Sequence, residues 1–140
     1  MPTEPARILA DTGPLVAVLN AADEHHAWAR EVFGRLPPPV FTCESVLSEA
    51  QFLLHGRGGD PLTVLDWVQR GVINLAFDAE DEIERLLALQ KSYRALPMDF
   101  ADATLVALAE QQDITEIFTL DRRGFETYRV NGRKSLVIYP

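Results

Sequence analysis

Four acidic residues stand where carboxylates can act together. Asp11 directly follows Ile8-Leu9-Ala10, Glu49 lies within Ser45 to Leu54, Asp102 within Pro97-Met98-Asp99-Phe100-Ala101-Asp102-Ala103, and Asp121 follows Ile117-Phe118-Thr119-Leu120. Two like charges about 4 Å apart repel by roughly 4 kcal/mol at an effective dielectric near 20, so four such groups on one edge need protons or a cation. A carboxylate-only set suits a hard, oxygen-seeking ion, Mg²⁺ or Mn²⁺, better than zinc. Each acid also has an ordinary use by itself. Asp11, Asp99 and Asp121 suit helix N-caps, Asp102 suits the positive end of a helix dipole, and Glu49 suits a solvated helix face. Asp102 is flanked by Ala101 and Ala103 in a helix so apolar that burial is expected, and a buried carboxylate requires a partner.

The elements that must position these acids are read from periodicity. Five apolar runs rich in β-branched or aromatic residues predict strands at Ile8 to Ala10, Val40 to Thr42, Val72 to Phe77, Ile117 to Leu120 and Leu136 to Tyr139. Between them, helical spacing predicts helices at Ala27 to Leu36, Val46 to Leu54, Leu62 to Val68, Ile83 to Tyr93 and Ala103 to Ala109, with another turning through Thr12-Gly13-Pro14. In the fourth of these, Ile83, Leu86, Leu87 and Leu89 make the apolar stripe; around Glu49, Val46, Phe52 and Leu53 predict a face against the sheet. Strands alternating with helices imply crossover connections, hence an α/β fold: a three-layer α/β/α sandwich on a mostly parallel sheet of about five strands. In such sheets ligands gather at the carboxyl ends of strands where the strand order reverses. Asp11 and Asp121 both occupy strand ends of this kind.

Composition narrows the function classes. A chain of 140 residues, 47% hydrophobic and 24% charged, has the size and usage of one domain spanning 1–140. It is long enough to bury a core without disulfide or structural metal, and its one cysteine, Cys43, has no internal partner. No stretch approaches the roughly 20 apolar residues needed to cross a bilayer, and Met1-Pro2-Thr3-Glu4-Pro5 lacks a secretory pattern, so no membrane association and a cytoplasmic location are expected. A balance of 13 Lys+Arg against 21 Asp+Glu, net −8, argues against gripping nucleic acid by bulk charge. It does not exclude a nuclease, whose acids serve the substrate through the cation they bind.

Other features carry less chemistry. His25-His26 point about 100° apart on a helix and have no matching third ligand. Cys43 reads as a buried thiol, Trp28 and Trp67 as core or subunit contacts, and Gly56-Arg57-Gly58-Gly59 as a turn between helices without the lysine and hydroxyl of a phosphate loop. An aspartyl-phosphatase pattern would need an acid at position 13, which is glycine, and a receiver-type constellation does not follow Phe77-Asp78-Ala79.

Asp11-Thr12-Gly13 after the first strand, the helical Glu49, Asp102-Ala103 opening an apolar helix, and Thr119-Leu120-Asp121 after the fourth strand resemble the PIN-domain ribonucleases, in particular VapC-type toxins of toxin-antitoxin pairs. The resemblance covers almost the whole chain. It implies a metal-dependent endoribonuclease that hydrolyses RNA phosphodiester bonds, with Asp11 and Asp102 as main ligands of Mg²⁺ or Mn²⁺. Glu49 and Asp121 would complete the acidic pocket, either one orienting or deprotonating a water. Thr12 and Thr119 match hydroxyl positions beside the acids, and Asp99 is an extra acid of the kind many relatives carry. Gly13 departs from the small polar residue often found there. The resemblance also implies a homodimer and a small antitoxin protein as partner. Arg122 and Arg123, just after Asp121, form a local basic rim that would contact RNA phosphate despite the net charge, since screening limits reach to about 8 Å. The alternative is a PIN-like module that keeps the acids but only binds RNA or protein.

Overall fold

In a computed structural model of the chain, which describes residues 6–139, β1 (Ile8–Ala10) leads into α1 (Thr12–Leu19) and α2 (His26–Gly34). Next come β2 (Val40–Phe41), α3 (Glu44–Arg57), α4 (Leu62–Gln69) and β3 (Ile73–Asn74). A short 3₁₀ turn precedes α5 (Ile83–Ser92), followed by α6 (Phe100–Gln112), β4 (Glu116–Phe118), α7 (Arg122–Thr127) and β5 (Val137–Tyr139). The opening pentapeptide, read above as lacking a secretory pattern, lies outside the described residues.

The five strands form one sheet in the order β3-β2-β1-β4-β5, every pair parallel. Ile8, Leu9 and Ala10 are all buried, so the central strand is covered on both faces, as a continuous apolar run in a parallel sheet requires. The chain builds outward from β1 through β2 to β3, then returns to place β4 on the other side of β1. The strand order therefore reverses between β1 and β4. The registers Leu9↔Ile117 and Ala10↔Phe118 bring the ends of these two strands side by side, and the Asp11 amide extends the ladder by donating to the Phe118 carbonyl at 3.0 Å.

The three-layer α/β/α reading holds, with local corrections. The third strand is two residues rather than the expected run to Phe77, because β2 offers only two partners and the Asn74 side chain accepts from the Ala76 amide, turning the chain away. The fourth strand stops at Phe118, which frees the Thr119 and Leu120 backbone for the turn into the site. Gly56 and Arg57 still belong to α3, which is capped by the left-handed Gly58. The stripe on α5 is narrower than expected: Leu86 and Leu89 are buried, while Ile83 and Leu87 face solvent. Phe52 also faces outward, because the buried row of α3 runs through Val46, Leu47, Ala50 and Leu54. Trp28 and Trp67 pack on the core through Phe118 and Phe33, as expected of core residues. Helix α7, which carries Arg122 and Arg123, has no counterpart among the helices expected from periodicity.

Candidate active site

All four acids sit at the strand-order reversal or on helices whose first turns face it. Asp11 is the N-cap of α1: one oxygen accepts the Thr12 amide at 2.8 Å, and the other accepts the Thr119 hydroxyl at 2.7 Å. The same threonine oxygen accepts the Asp121 amide at 2.9 Å, so one hydroxyl ties together the turns after β1 and β4. Asp121 is in turn the N-cap of α7, accepting the Gly124 amide at 3.0 Å. Glu49 is solvent-exposed on α3 and accepts the Thr12 hydroxyl at 3.1 Å. Asp99 and Asp102 form a reciprocal capping box at the start of α6, with the Asp102 amide donating to Asp99 at 2.7 Å. The Tyr128 hydroxyl donates to Asp102 Oδ2 at 3.1 Å. Asp102 is half-buried rather than largely buried, because α6 becomes fully enclosed only from Ala103 onward.

Capping and clustering therefore coexist: each aspartate satisfies a helix start with one part of its carboxylate and faces the shared edge with the rest. Among the described residues none of the four acids is in an ion pair; their donors are neutral hydroxyls and amides.

The electrostatic consequence is large. Burial raises the Asp11 carboxyl from its ordinary 3.8 to about 6; the Thr119 hydroxyl and Thr12 amide oppose the rise, while the charges of Asp121 and Glu49 add to it. Burial, followed by the charges of Asp99 and Asp11, raises Asp102 from 3.8 to about 7, against the Tyr128 hydroxyl and the Asp99 amide. Asp11 thus interacts with Asp121 and Glu49, and Asp102 with Asp11, which links the four acids into one electrostatic unit.

As they stand, no group of three or more His, Cys, Asp or Glu side chains that could hold a metal ion occurs among the described residues. The donor chemistry nevertheless fits a hard divalent cation: the available groups are carboxylate and hydroxyl oxygens, and among the described residues no ion pair joins the four acids to an ammonium or guanidinium. Burial is the main reason Asp11 and Asp102 are raised, and the charges of the neighbouring acids add to it.

A cavity of about 330 Å³ opens beside these acids, lined by Leu96, Pro97, Asp102, Asp121, Arg123 and Tyr128 among others. Arg123 thus shares a cavity wall with two of the acids, whereas Arg122 reaches Glu126 at 3.7 Å along α7. Gly13 packs where a Cβ would meet the Leu120 side chain at 3.2 Å, so a larger residue there requires Leu120 to give way. Cys43 lies buried beneath the start of α3, and burial pushes its thiol up to about 12. That makes it a poor nucleophile. His26 starts α2 and bonds the Ala17 carbonyl through its ring, which gives it a structural partner away from the acids.

Sequence reading missed Tyr128. The signal available was the spacing of Phe125 and Tyr128, three residues apart after Asp121, which gives a short helix one apolar face. The chain from Asp102 to Tyr128 spans 26 positions, so the bond between them has no local signature.

Comparison with known proteins agrees with this geometry. Residues 8–131 match the PIN domain family. The chain is 30% identical over 135 residues to Ribonuclease VapC26 of Mycobacterium tuberculosis, covering 95% of this chain and all of that protein. In fold it resembles the crystal structure of Mycobacterium tuberculosis VapC20, described as a sarcin-ricin loop cleaving toxin, with a TM-score of 0.78 and 23% identity over 95% of this chain and 99% of that one. With four acids at the strand-order reversal and the sequence match running through all of them, the chain belongs to the PIN-domain family, among the VapC-type ribonucleases.

Proposed function

We propose that this protein, acting as one PIN-like unit over 1–140, is an endoribonuclease that hydrolyses RNA phosphodiester bonds with Mg²⁺ or Mn²⁺, and that it is the toxin of a type II toxin-antitoxin pair in the cytoplasm. The observation that carries this reading is the set of four carboxylates at the β1/β4 reversal, three of them linked through Thr12 and Thr119 and the fourth, Asp102, bonded by Tyr128, all free of ion pairs among the described residues. No arginine or lysine neutralises this cluster among the described residues, which supports a reading in which a cation does so.

Asp11 and Asp102 are the main ligands in this reading, with Glu49 and Asp121 completing the shell. A bound divalent cation offsets phosphate charge and lowers the pKa of a water, which removes the need for a serine or cysteine nucleophile. Thr119 holds Asp11 and the Asp121 turn in place; Thr12 does the same for Glu49. Glu49 or Asp121 orients the attacking water or takes its proton. Arg123, on the cavity wall with Asp102 and Asp121, meets the substrate phosphate, and Arg122 adds charge at the rim. Asp99 orders the start of α6 and adds negative charge beside Asp102. Exposed Phe52, Leu62 and Leu65, and Ile83 with Leu87, are the apolar surfaces that a small antitoxin and a second copy of the chain would cover.

The test incubates purified protein with mixed RNA and Mg²⁺ or Mn²⁺, then repeats with Asp11→Asn and with chelator. Metal-dependent cleavage abolished by either change supports the reading. RNA recovered intact under all conditions while still bound identifies a silent binding module, and cleavage that persists in both controls is a contaminant.

A further inference from the structure

We propose that Tyr128 is a positioning residue for the acidic site: its hydroxyl commits one oxygen of Asp102 to the protein and leaves the other, which would help hold a divalent cation. This deepens the ribonuclease reading above and rests on it.

Tyr128 is 3% exposed, and its hydroxyl donates to Asp102 Oδ2 at 3.1 Å. A buried tyrosine hydroxyl needs an acceptor, but here the acceptor is a carboxylate of the site rather than a nearby carbonyl. The Asp99 amide approaches that same Oδ2, at 3.5 Å, so both donors hold one side of the carboxylate. The ring is fixed from two directions: Tyr93 meets it edge-on with centroids 5.1 Å apart, and Phe125 does the same at 5.3 Å. Tyr93 is itself anchored, its hydroxyl accepting the Arg129 amide at 2.9 Å. The Tyr128 amide donates to the Gly124 carbonyl at 3.0 Å, which pins the backbone at the end of α7.

Gly124 explains how the hydroxyl gets through. A Cβ on that residue would lie 3.2 Å from the tyrosine hydroxyl oxygen and 2.6 Å from Asp121 Oδ2. The bare Cα is thus the shared floor on which the Asp121 carboxylate and the Tyr128 hydroxyl both rest. One six-residue helix delivers an acid from its N-cap and a donor from its C-cap to the same side of the site. A tyrosine used only for packing would not need this clearance.

The experiment measures Mn²⁺ affinity by calorimetry without RNA, and separately kcat and KM for RNA cleavage, in Tyr128→Phe, which keeps the ring and its two aromatic contacts. Loss of a group that orients a metal ligand typically lowers affinity or activity by 10–100-fold. Mn²⁺ affinity and kcat are expected to fall by about 10-fold or more, with KM for RNA and the far-ultraviolet spectrum unchanged. In an Asp102→Ala background, Tyr128→Phe is expected to have no further effect on Mn²⁺ affinity. Equal losses in both backgrounds would assign Tyr128 to general packing and overturn the proposal. Wild-type affinity in Tyr128→Phe, with affinity reduced in Asp102→Ala, would overturn it while leaving the ribonuclease reading intact. A wild-type protein that binds no Mn²⁺ and cuts no RNA would overturn both.

Discussion

Helix α6 carries two carboxylates with opposite fates, Asp102 in its first turn and Glu110 near its last. The helix dipole alone would favour the charged form of Asp102 and penalise that of Glu110. The reverse is found. Asp102 is raised to about 7, whereas Glu110 lies below its ordinary 4.5 despite the burial that raises it. The difference is the company each keeps. Arg85 grips Glu110 with two hydrogen bonds of 2.8 Å, and the Asn131 amide adds another, clasping α5, α6 and the loop before β5. Asp102 is raised first by burial and then by two acidic neighbours, and has only a tyrosine hydroxyl and an amide to oppose them. A dipole contribution of about 0.3–1 kcal/mol yields to burial and to specific partners, so one end of the helix carries a neutralised carboxylate and the other a desolvated one among like charges.

Replacing Asp102 by Asn tests that contrast most severely. Cleavage is expected to fall by at least about 100-fold if Asp102 is a ligand, as proposed, and not merely a support. The metal-free protein, relieved of one repelling charge, is expected to melt roughly 2–4 °C higher at pH 8 in scanning calorimetry. A mutant that is both inactive and less stable would mean that Asp102 serves the fold.

The mirror experiment is Arg85→Ala. Leaving the partly buried Glu110 without its guanidinium is expected to cost about 1–3 kcal/mol in urea unfolding, with kcat unchanged. Loss of cleavage at intact stability would erase the division between the two ends of α6.

The two regions should also respond to pH in opposite senses. Asp11 and Asp102 hold protons more tightly folded than unfolded, so their contribution to metal-free stability is fully present below about pH 3.8 and is lost as pH rises through about 6 to 7. Glu110, lowered below 4.5, contributes stability that is present above that value and lost as pH falls through its folded value. Binding a cation must expel protons from Asp11 and Asp102, so cleavage at limiting Mg²⁺ is expected to rise about tenfold between pH 5.5 and 7.5. A flat profile would show that these acids are already ionised.

The smallest effect concerns the rim. Arg123→Glu is expected to raise KM for RNA severalfold and to flatten its salt dependence, and Arg122→Glu to do less, because Arg123 lines the acid cavity while Arg122 lies beside Glu126. Equal effects from both would place the phosphate contact on the outer face of α7.

Much of this molecule was legible before folding because its signals are local. Apolar runs end at Ala10 and Leu120, and the acids that follow stand at or just past strand ends whatever the rest of the chain does. Alternating strands and helices imply parallel pairing through the chirality of crossovers, which needs no knowledge of distant contacts. The hydroxyls Thr12 and Thr119 were visible as neighbours of acids in the same turns. Harder to read were the outward Phe52 and Leu87, since a helical stripe has a direction only once its neighbours are placed.

What the amino-acid order determined by itself was the set of acids, their hydroxyl neighbours and the sheet edge that receives them. Only the tertiary structure decided which carboxylates go unpaired, which are desolvated, and that Tyr128 reaches Asp102. Those outcomes depend on water removed and donors supplied by segments 26 to 108 residues away, and neither propensity nor periodicity carries information at that range.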